Sequence, residues 1–378
     1  MHTNFNTPAK QTLYFLLIIT MLTACSGKTH KIQHEFENLF DKSFSTNEPG
    51  GVILVKKGRD IIFLKSYGIA DLKTGEKITE NTIFNTGSIS KTFVANGILI
   101  LNEQGRLSLD NSIDKYFDFD NVKIAKKIKI RHLLAHCSGL PDLRKIEENR
   151  EFYLYAKDRG NFEPLKHVKT LNFEPGEKFE YSNPAFNGLA LIIKKVSGMK
   201  WQNFIKEKIF KPAGMNHSRI TDGPEPRTGV AHAYIKKNGE YTEFDYGEYP
   251  TFAASGNGGI WCSVLDLAAY EKAIRNYTFL NKNSVLLSRT VFHPKNRNDT
   301  IPPNIGCSWF IMEKDNKQNK FNVKIIYHTG SQGGFRAFFV SIPEKDILYA
   351  ALFNRPVDNL TEIRIKGLEI LKKYNWLE

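Results

Sequence analysis

Ser88 and Lys91 stand three residues apart in the stretch 85–105, NTGSISKTFVANGILILNEQG. Residues three apart share a helix face, so this spacing brings a hydroxyl and an amine within hydrogen-bonding reach. A serine hydroxyl is a poor nucleophile until a neighbouring base takes its proton, and lysine is such a base only where burial or nearby cations lower its pKa. Phe93, Val94, Ala95, Ile98, Leu99, Ile100 and Leu101 are apolar nearly all round, which predicts a helix buried in the core. A start at Thr86-Gly87-Ser88 puts Ser88 in its first turn, and Gly105 suits the left-handed residue that closes a helix. The N–H groups and partial positive charge of a helix N-terminus suit an oxyanion. Ser-x-x-Lys equally describes a capping serine followed by a solvated lysine, so the rest of the chain has to decide.

Other residues of catalytic type form weaker patterns. His132 and His136 are four apart, but Leu133-Leu134-Ala135 between them lacks the glutamate of a metalloprotease, and no metal is expected. Gly258-Gly259 and Gly333-Gly334 read as backbone turns, because neither has the strand-glycine-helix context of a phosphate cradle. Arg336 lies on a strand pattern, where it can meet a substrate carboxylate or face solvent.

The elements that must position these groups follow from periodicity. GVILVK and IIFLKSYG, separated by Lys57-Gly58-Arg59-Asp60, read as a hairpin. Toward the other end, 306–312, 321–328, 335–342 and 347–353 read as strands, and 360–374 as a closing helix. The middle is mostly helices and loops: a turn at Pro175-Gly176, a helix over 186–196 ending at Gly198, and another over 201–210 before Pro212. Ser263-Val264-Leu265-Asp266 has the Ser-x-x-acid pattern of a helix start, and that helix runs to about 276. The economical arrangement is an α+β fold. One antiparallel sheet is built from both chain ends and flanked by helices, the middle forms a helical lobe, and catalytic groups lie in the crevice between.

With 378 residues the chain holds one large domain or two joined lobes, and its 41% hydrophobic and 25% charged content is that of a globular protein. A net charge of +13 raises an anionic partner such as a membrane surface, a cell-wall polymer or nucleic acid. The lysines are scattered, however, and the densest run, KIAKKIKIR over 123–131, has no interleaved aromatics. It reads as a solvated face, and no nucleic acid is expected.

Residues 1–24 read as a signal peptide: Lys10, an apolar stretch over 13–22, then Thr23-Ala24 before Cys25. The stretch is too short to span a bilayer, which takes about 20 residues. Leu22-Thr23-Ala24-Cys25 resembles the bacterial lipoprotein signal, in which cleavage precedes a cysteine that is then lipidated. The resemblance implies a lipid-anchored membrane protein of the cell envelope, facing the periplasm or exterior. An ordinary secretory signal cut nearby is the alternative. Residues 25–48 read as a short polar stalk and a first helix carrying Ile32, Phe36, Leu39, Phe40 and Phe44. Cys137, Cys262 and Cys307 are an odd number and read as buried hydrophobes, with at most one disulfide.

Two further segments bear on Ser88 and Lys91. Tyr181-Ser182-Asn183 follows the turn FEPGEKFE, and His328-Thr329-Gly330 ends one β-run, with Ser331-Gln332-Gly333-Gly334 leading into the next. With Ser88-Ile89-Ser90-Lys91 these resemble the three motifs of the serine penicillin-recognising hydrolases. The Tyr-x-Asn form points to the branch of class C β-lactamases, D-alanyl-D-alanine carboxypeptidases, and related esterases and D-amino-acid peptidases. LLAHCSGLPD (133–142), PGEKFEYSN (175–183), KPAGM (211–215) and GGIWCSVLDLAAY (258–270) are similar to that family too, in the same order.

The resemblance implies a β-lactamase/transpeptidase-like domain over residues 49–378. By it, Ser88 is the acylated nucleophile, Lys91 its base partner and Tyr181 a proton shuttle, a role that fits a phenol whose pKa of about 10 is lowered by adjacent cations. Asn183 would bind the substrate's amide, and Thr329 would contact the substrate. The backbone N–H groups of Ser88 and Ser331, beside Gly330, would form the oxyanion hole. No cofactor is implied. The family's third motif often begins with lysine; here it is His328, whose imidazolium would read a substrate carboxylate only below its ordinary pKa of about 6.5. The substrates implied are a peptidoglycan stem peptide, a β-lactam, a D-amino-acid peptide or an ester. The competing reading is a non-catalytic cell-wall or penicillin-binding lipoprotein on the same fold, which needs no Ser88, Lys91 and Tyr181 in concert.

Overall fold

The computed structural model describes residues 27–143, 156–220, 228–244, 255–295 and 304–378; Cys25 and the segment 1–24 lie outside the described residues. β1 (Gly51–Lys57) turns through Gly58, at φ +61°, into β2 (Asp60–Tyr67), giving the expected hairpin. β3 (Asn304–Ile305), β4 (Phe310–Met312), β5 (Ile325–Gln332), β6 (Phe335–Ile342) and β7 (Ile347–Phe353) join it in one seven-stranded sheet, ordered β2-β1-β7-β6-β5-β4-β3. Every pairing is antiparallel, and Ile53 of β1 opposite Ala351 of β7 joins the two chain ends inside the sheet.

Five helices matter for the site: α1 (27–41), α2 (Ser90–Glu103), α3 (Asn183–Ser197), α4 (Val264–Arg275) and α5 (Leu360–Lys373). Successive strand residues face opposite sides of the sheet. Ile53, Val55, Ala351 and Phe353 pack with Ile32, Phe36 and Phe40 of α1 and Leu368 and Leu371 of α5. Val52, Leu54, Ala350 and Leu352 face the other way, into the larger core that contains α2 and α3. The sheet therefore separates the terminal helices from the helical lobe.

Local chemistry sets the helix limits. Ser263 Oγ accepts from Asp266 N and opens α4, which ends at Asn276 as expected. α3 begins three residues earlier than its apolar period, because Ser182 Oγ accepts from Ala185 N and Pro184 occupies the first turn; Gly198, at φ +72°, closes it. α2 is buried along nearly its whole length, and a Cβ on Gly97 would come within 2.9 Å of Ile193 and Ile205, so α2 and α3 cross closely there.

Three expectations are corrected. Ser88 lies in a 3-10 turn, Gly87–Ile89, that feeds α2, rather than in the α-helix itself. The third C-terminal strand is Ile325–Gln332, so His328-Thr329-Gly330 lies inside a strand held by pairing with β6 to its end, Gln332 opposite Phe335. The expected strand 306–312 is broken at Ser308, at φ +70°, leaving β3 and β4 as separate short strands. The first helix is already formed at residue 27, and residues 25–26 of the expected stalk lie outside the described residues. A hairpin in the middle, Tyr234–Lys237 with Glu240–Glu243, went unread although Asn238-Gly239 at its tip is a strong turn signal.

Candidate active site

The turn that carries Ser88 is fixed by backbone before any candidate catalytic side chain enters. Asn85 pairs with Trp261, Thr86 N and Oγ1 both donate to Ile260 O at 3.0 and 2.8 Å, and Ile260 N donates to Ser90 Oγ at 3.1 Å. Asn85 Oδ1 accepts from Gly87 N at 2.8 Å, and Gly87 takes φ +52°. From this turn the half-buried Ser88 presents its hydroxyl to Lys91, whose Nζ donates to Ser88 Oγ at 3.0 Å and to Asn257 O at 2.6 Å. Lys91 is fully buried, at 0% exposure, which decides against the solvated-lysine reading of Ser-x-x-Lys. A hydroxyl held this close to a buried amine is set for one proton transfer that makes the serine a nucleophile.

The second segment comes from the start of α3. The Lys91 ammonium nitrogen lies 5.1 Å from the Tyr181 ring centroid and 5.9 Å from that of Phe186. Tyr181 stacks on His136, with centroids 4.3 Å apart and planes 20° apart. Ser182 N donates to His136 Nδ1 at 2.9 Å, so that imidazole carries its proton on Nε2. Burial first, then Lys91 and His328, hold the His136 pKa well below its usual range, and the ring is neutral. Asn183 is the first residue of α3, half-buried.

The third segment approaches through glycine. A Cβ on Gly330 would fall 2.0 Å from Thr86 O, and one on Gly87 would fall 2.7 Å from Ser331 N, so the turn that carries Ser88 and β5 meet backbone to backbone. β4 pairs only with residues Ile325 to Tyr327, which frees the far edge of β5 from β4 across His328 to Gln332. Thr329 is half-buried and Ser331 exposed along that stretch.

His328 does not meet the expectation placed on it. Its side chain is 1% exposed, its ring centroid lies 5.1 Å from that of Phe310, and Nδ1 donates to Thr329 O at 2.6 Å. Burial, then the nearby Lys91, lowers its pKa to about 3, so the ring is neutral at working pH and supplies no cation for a carboxylate. Across β5 and β6, Arg336 stands opposite Ser331 and donates to Gly333 O and Phe335 O at 2.8 and 2.7 Å.

The sequence reading missed Asn257, which the GNGG run hinted at only as a turn, and the contact of His136 with the Tyr181 segment, since His136 was weighed only as half of a metal pair and as part of a similar segment. His132 and His136 are taken up separately: Lys129 N donates to His132 Nδ1 at 3.1 Å, while His136 serves the Tyr181 segment. Cys137 and Cys262 are buried free thiols and Cys307 is a half-buried one, so none of the three is bridged.

Comparison with known proteins follows the same outline. The sequence profile of the Beta-lactamase family matches residues 34–370. The chain is 29% identical over 328 residues to Penicillin-binding protein 4* of Bacillus subtilis (strain 168), covering 83% of this chain and 69% of the relative. It is 24% identical over 339 residues to Protein flp of Staphylococcus aureus (strain NCTC 8325 / PS 47), covering 86% of this chain but only 64% of flp, less than two thirds of that protein. The fold matches the octameric penicillin-binding protein homologue from Pyrococcus abyssi with a TM-score of 0.76 at 26% identity, over 92% of this chain and 77% of that one. It also resembles the D-amino acid amidase from Ochrobactrum anthropi SV3, with a TM-score of 0.73 at 18% identity over 92% and 99% of the two chains, a likeness of fold. A profile match of that length, over a sheet-and-lobe fold shared with these structures, means that the chain belongs to the Beta-lactamase family and is a serine hydrolase.

Proposed function

We propose that the protein hydrolyses an amide or ester of the D-amino-acyl or β-lactam type through an acyl-enzyme on Ser88. The observation that carries this reading is the 3.0 Å contact between Ser88 Oγ and the buried Lys91 Nζ, beneath the Tyr181 ring. Ser88 Oγ attacks the carbonyl carbon while its proton passes to Lys91, and the N–H groups of Ser88 and Ser331 receive the oxyanion. Tyr181 relays the proton to the leaving nitrogen or oxygen as that bond breaks, and water then hydrolyses the Ser88 ester. Asn183 and Thr329 bind the substrate from the two sides of the crevice, with Gly330 allowing close approach. Small molecules or peptides fit this chemistry, and no cofactor is needed for it.

Two observations bear on the substrate. A neutral, buried His328 favours a leaving group without a carboxylate at that subsite, hence an ester, an amide or a β-lactam ring. Arg336, opposite Ser331, favours a second reading in which a terminal carboxylate is met from the neighbouring strand, as a D-alanyl-D-alanine carboxypeptidase requires. A hydrolysis panel of stem peptide, β-lactam, D-amino-acid amide and simple ester separates the two. Turnover of the stem peptide that is lost in Arg336→Gln supports the second, and turnover confined to the neutral substrates supports the first. Ser88→Ala should abolish turnover and labelling by a fluorophosphonate, and labelling that persists there would place the nucleophile elsewhere. We further propose, on the signal sequence alone, that Cys25 is lipidated and anchors the protein to a membrane of the cell envelope.

A further inference from the structure

The Lys91 amine has a second acceptor besides Ser88, the carbonyl of Asn257, and that carbonyl sits on a tight turn. Ser255 and Gly258 exchange backbone hydrogen bonds at 3.3 and 3.0 Å, leaving Gly256 and Asn257 at the tip. The tip lies flat on α3: a Cβ on Gly256 would come 2.5 Å from Phe186 O and 2.6 Å from the Ala190 Cβ. Contact alone does not aim a carbonyl, because a peptide plane on a turn can rotate. Here a buried carboxylate grips the turn. Asp158, 6% exposed, accepts from Gly256 N at 2.6 Å through Oδ1 and from Trp201 Nε1 at 2.6 Å through Oδ2. Asn187 of α3, fully buried, places its amide nitrogen, with two N–H groups, within reach of three acceptors: Asp158 Oδ1 at 2.9 Å, Ser255 Oγ at 2.8 Å and Asn257 Oδ1 at 3.1 Å.

We infer that Asp158 is a positioning residue: its buried carboxylate fixes the turn 255–258 so that the Asn257 carbonyl aims the Lys91 amine at Ser88. This rests on the assignment of Lys91 as the base. The carboxylate acts at two ranges. Its hydrogen bond to Gly256 N orients the turn, and its charge, held against the turn that carries the acceptor of Lys91, favours the protonated amine. His136 and His328, whose pKa values are lowered first by burial and then by the Lys91 charge, are neutral, and the Tyr181 ring lies over the amine. Asp158 is thus a charged group whose removal has a defined sign.

The test is Asp158→Asn, which keeps size and shape but removes the charge and sets an amide against one of the N–H donors. Fluorophosphonate is the probe, with kinact and KI measured against pH, and circular dichroism checks the fold. The expected result is a fall in kinact of about tenfold or more with little change in KI. The acid limb of kinact should also move down by about half a pH unit or more, because removing a nearby anion makes the ammonium easier to deprotonate. Unchanged kinact with an unmoved limb in folded Asp158→Asn overturns the inference, as does a uniform loss at every pH with the limb in place, which is what loosened structure alone produces. If Asp158→Asn does not fold, Asn187→Leu carries the test: it leaves the charge and cuts the amide link to Asn257, so kinact should fall severalfold with the limb unmoved. Unchanged kinact in that variant also overturns it. Labelling that survives Ser88→Ala removes the reading beneath the inference. A Ser88-dependent label indifferent to both variants removes Asp158 alone.

Discussion

His136 holds Tyr181 on three sides: the two rings stack at 4.3 Å, Ser182 N donates to His136 Nδ1 at 2.9 Å, and Glu180 N donates to His136 O at 2.8 Å. The residues before and after Tyr181 are therefore tied to the residue beneath it. His136→Phe keeps the stack and the carbonyl but leaves the Ser182 N–H without its acceptor, a loss of about 1–3 kcal/mol for a buried donor. We expect a lowered melting temperature together with a fall of about tenfold in fluorophosphonate labelling of Ser88. Lower stability with full labelling would make His136 a support of the fold and not of Tyr181.

His328 links the site to pH through stability. Its folded pKa is about 3 and its unfolded value about 6.5, so between these limits the unfolded chain binds the extra proton. Stability is complete above the unfolded value and declines as pH falls toward about 3, at most by about 1.4 kcal/mol per pH unit. His132, lowered to about 4 mainly by burial, acts in the same sense. Thermal melts from pH 7 to 4 should show falling stability, and His328→Gln should flatten part of that slope; a slope unaltered in the variant would contradict the assignment. For the same reason, carboxylate-bearing and neutral substrates should lose activity alike on the alkaline side, with no step near pH 6.5.

Gly330→Ala should disable the enzyme more than its size suggests. The new methyl would sit 2.0 Å from Thr86 O, a backbone atom of the turn that carries Ser88, and relief requires β5 and that turn to part. Ser331 N–H and Ser88 N–H would separate with them. We expect labelling of Ser88 to drop by about a hundredfold or more, the loss that follows removal of one oxyanion donor. Wild-type labelling rates in this variant would rule out a shared oxyanion hole.

Cys25→Ser should release the protein from membranes, because the apolar stretch 13–22 is too short to span one. Fractionation in high salt checks this, and membrane retention of the variant would contradict lipidation.

The sheet was legible because hydrophobic runs and the Lys57-Gly58-Arg59-Asp60 turn act locally, and β1, β6 and β7 fall within a residue or so of their expected limits. β5 was not, since His328 to Gln332 breaks the apolar run while strand pairing with β6 carries the backbone on. Ser88 and Lys91 were legible from their spacing, and Tyr181 only through the family resemblance of its segment. What no spacing reveals is that Asn257, Asp158 and Asn187 converge behind Lys91, because their contacts are made between elements far apart in the chain. His328 shows the same limit in reverse: its residue type suggested a titrating cation, and its neighbours, invisible in sequence, removed the charge.

α1 is already helical at residue 27, two residues along the chain from Cys25, and is clamped to the far end of the chain, with Lys373 Nζ and Tyr374 Oη both donating to Glu35 at 2.6 and 2.7 Å. A lipid on Cys25 would then have no leash. The folded body would ride directly on the headgroups, with the terminal-helix side nearest the bilayer and the sheet between it and Ser88. For a domain of about 350 residues, whose radius of gyration is about 20 Å, the catalytic mouth would patrol a shell only a few tens of ångströms deep. Substrates embedded in that shell would be hydrolysed and those beyond it spared, so geography would sort them before chemistry does.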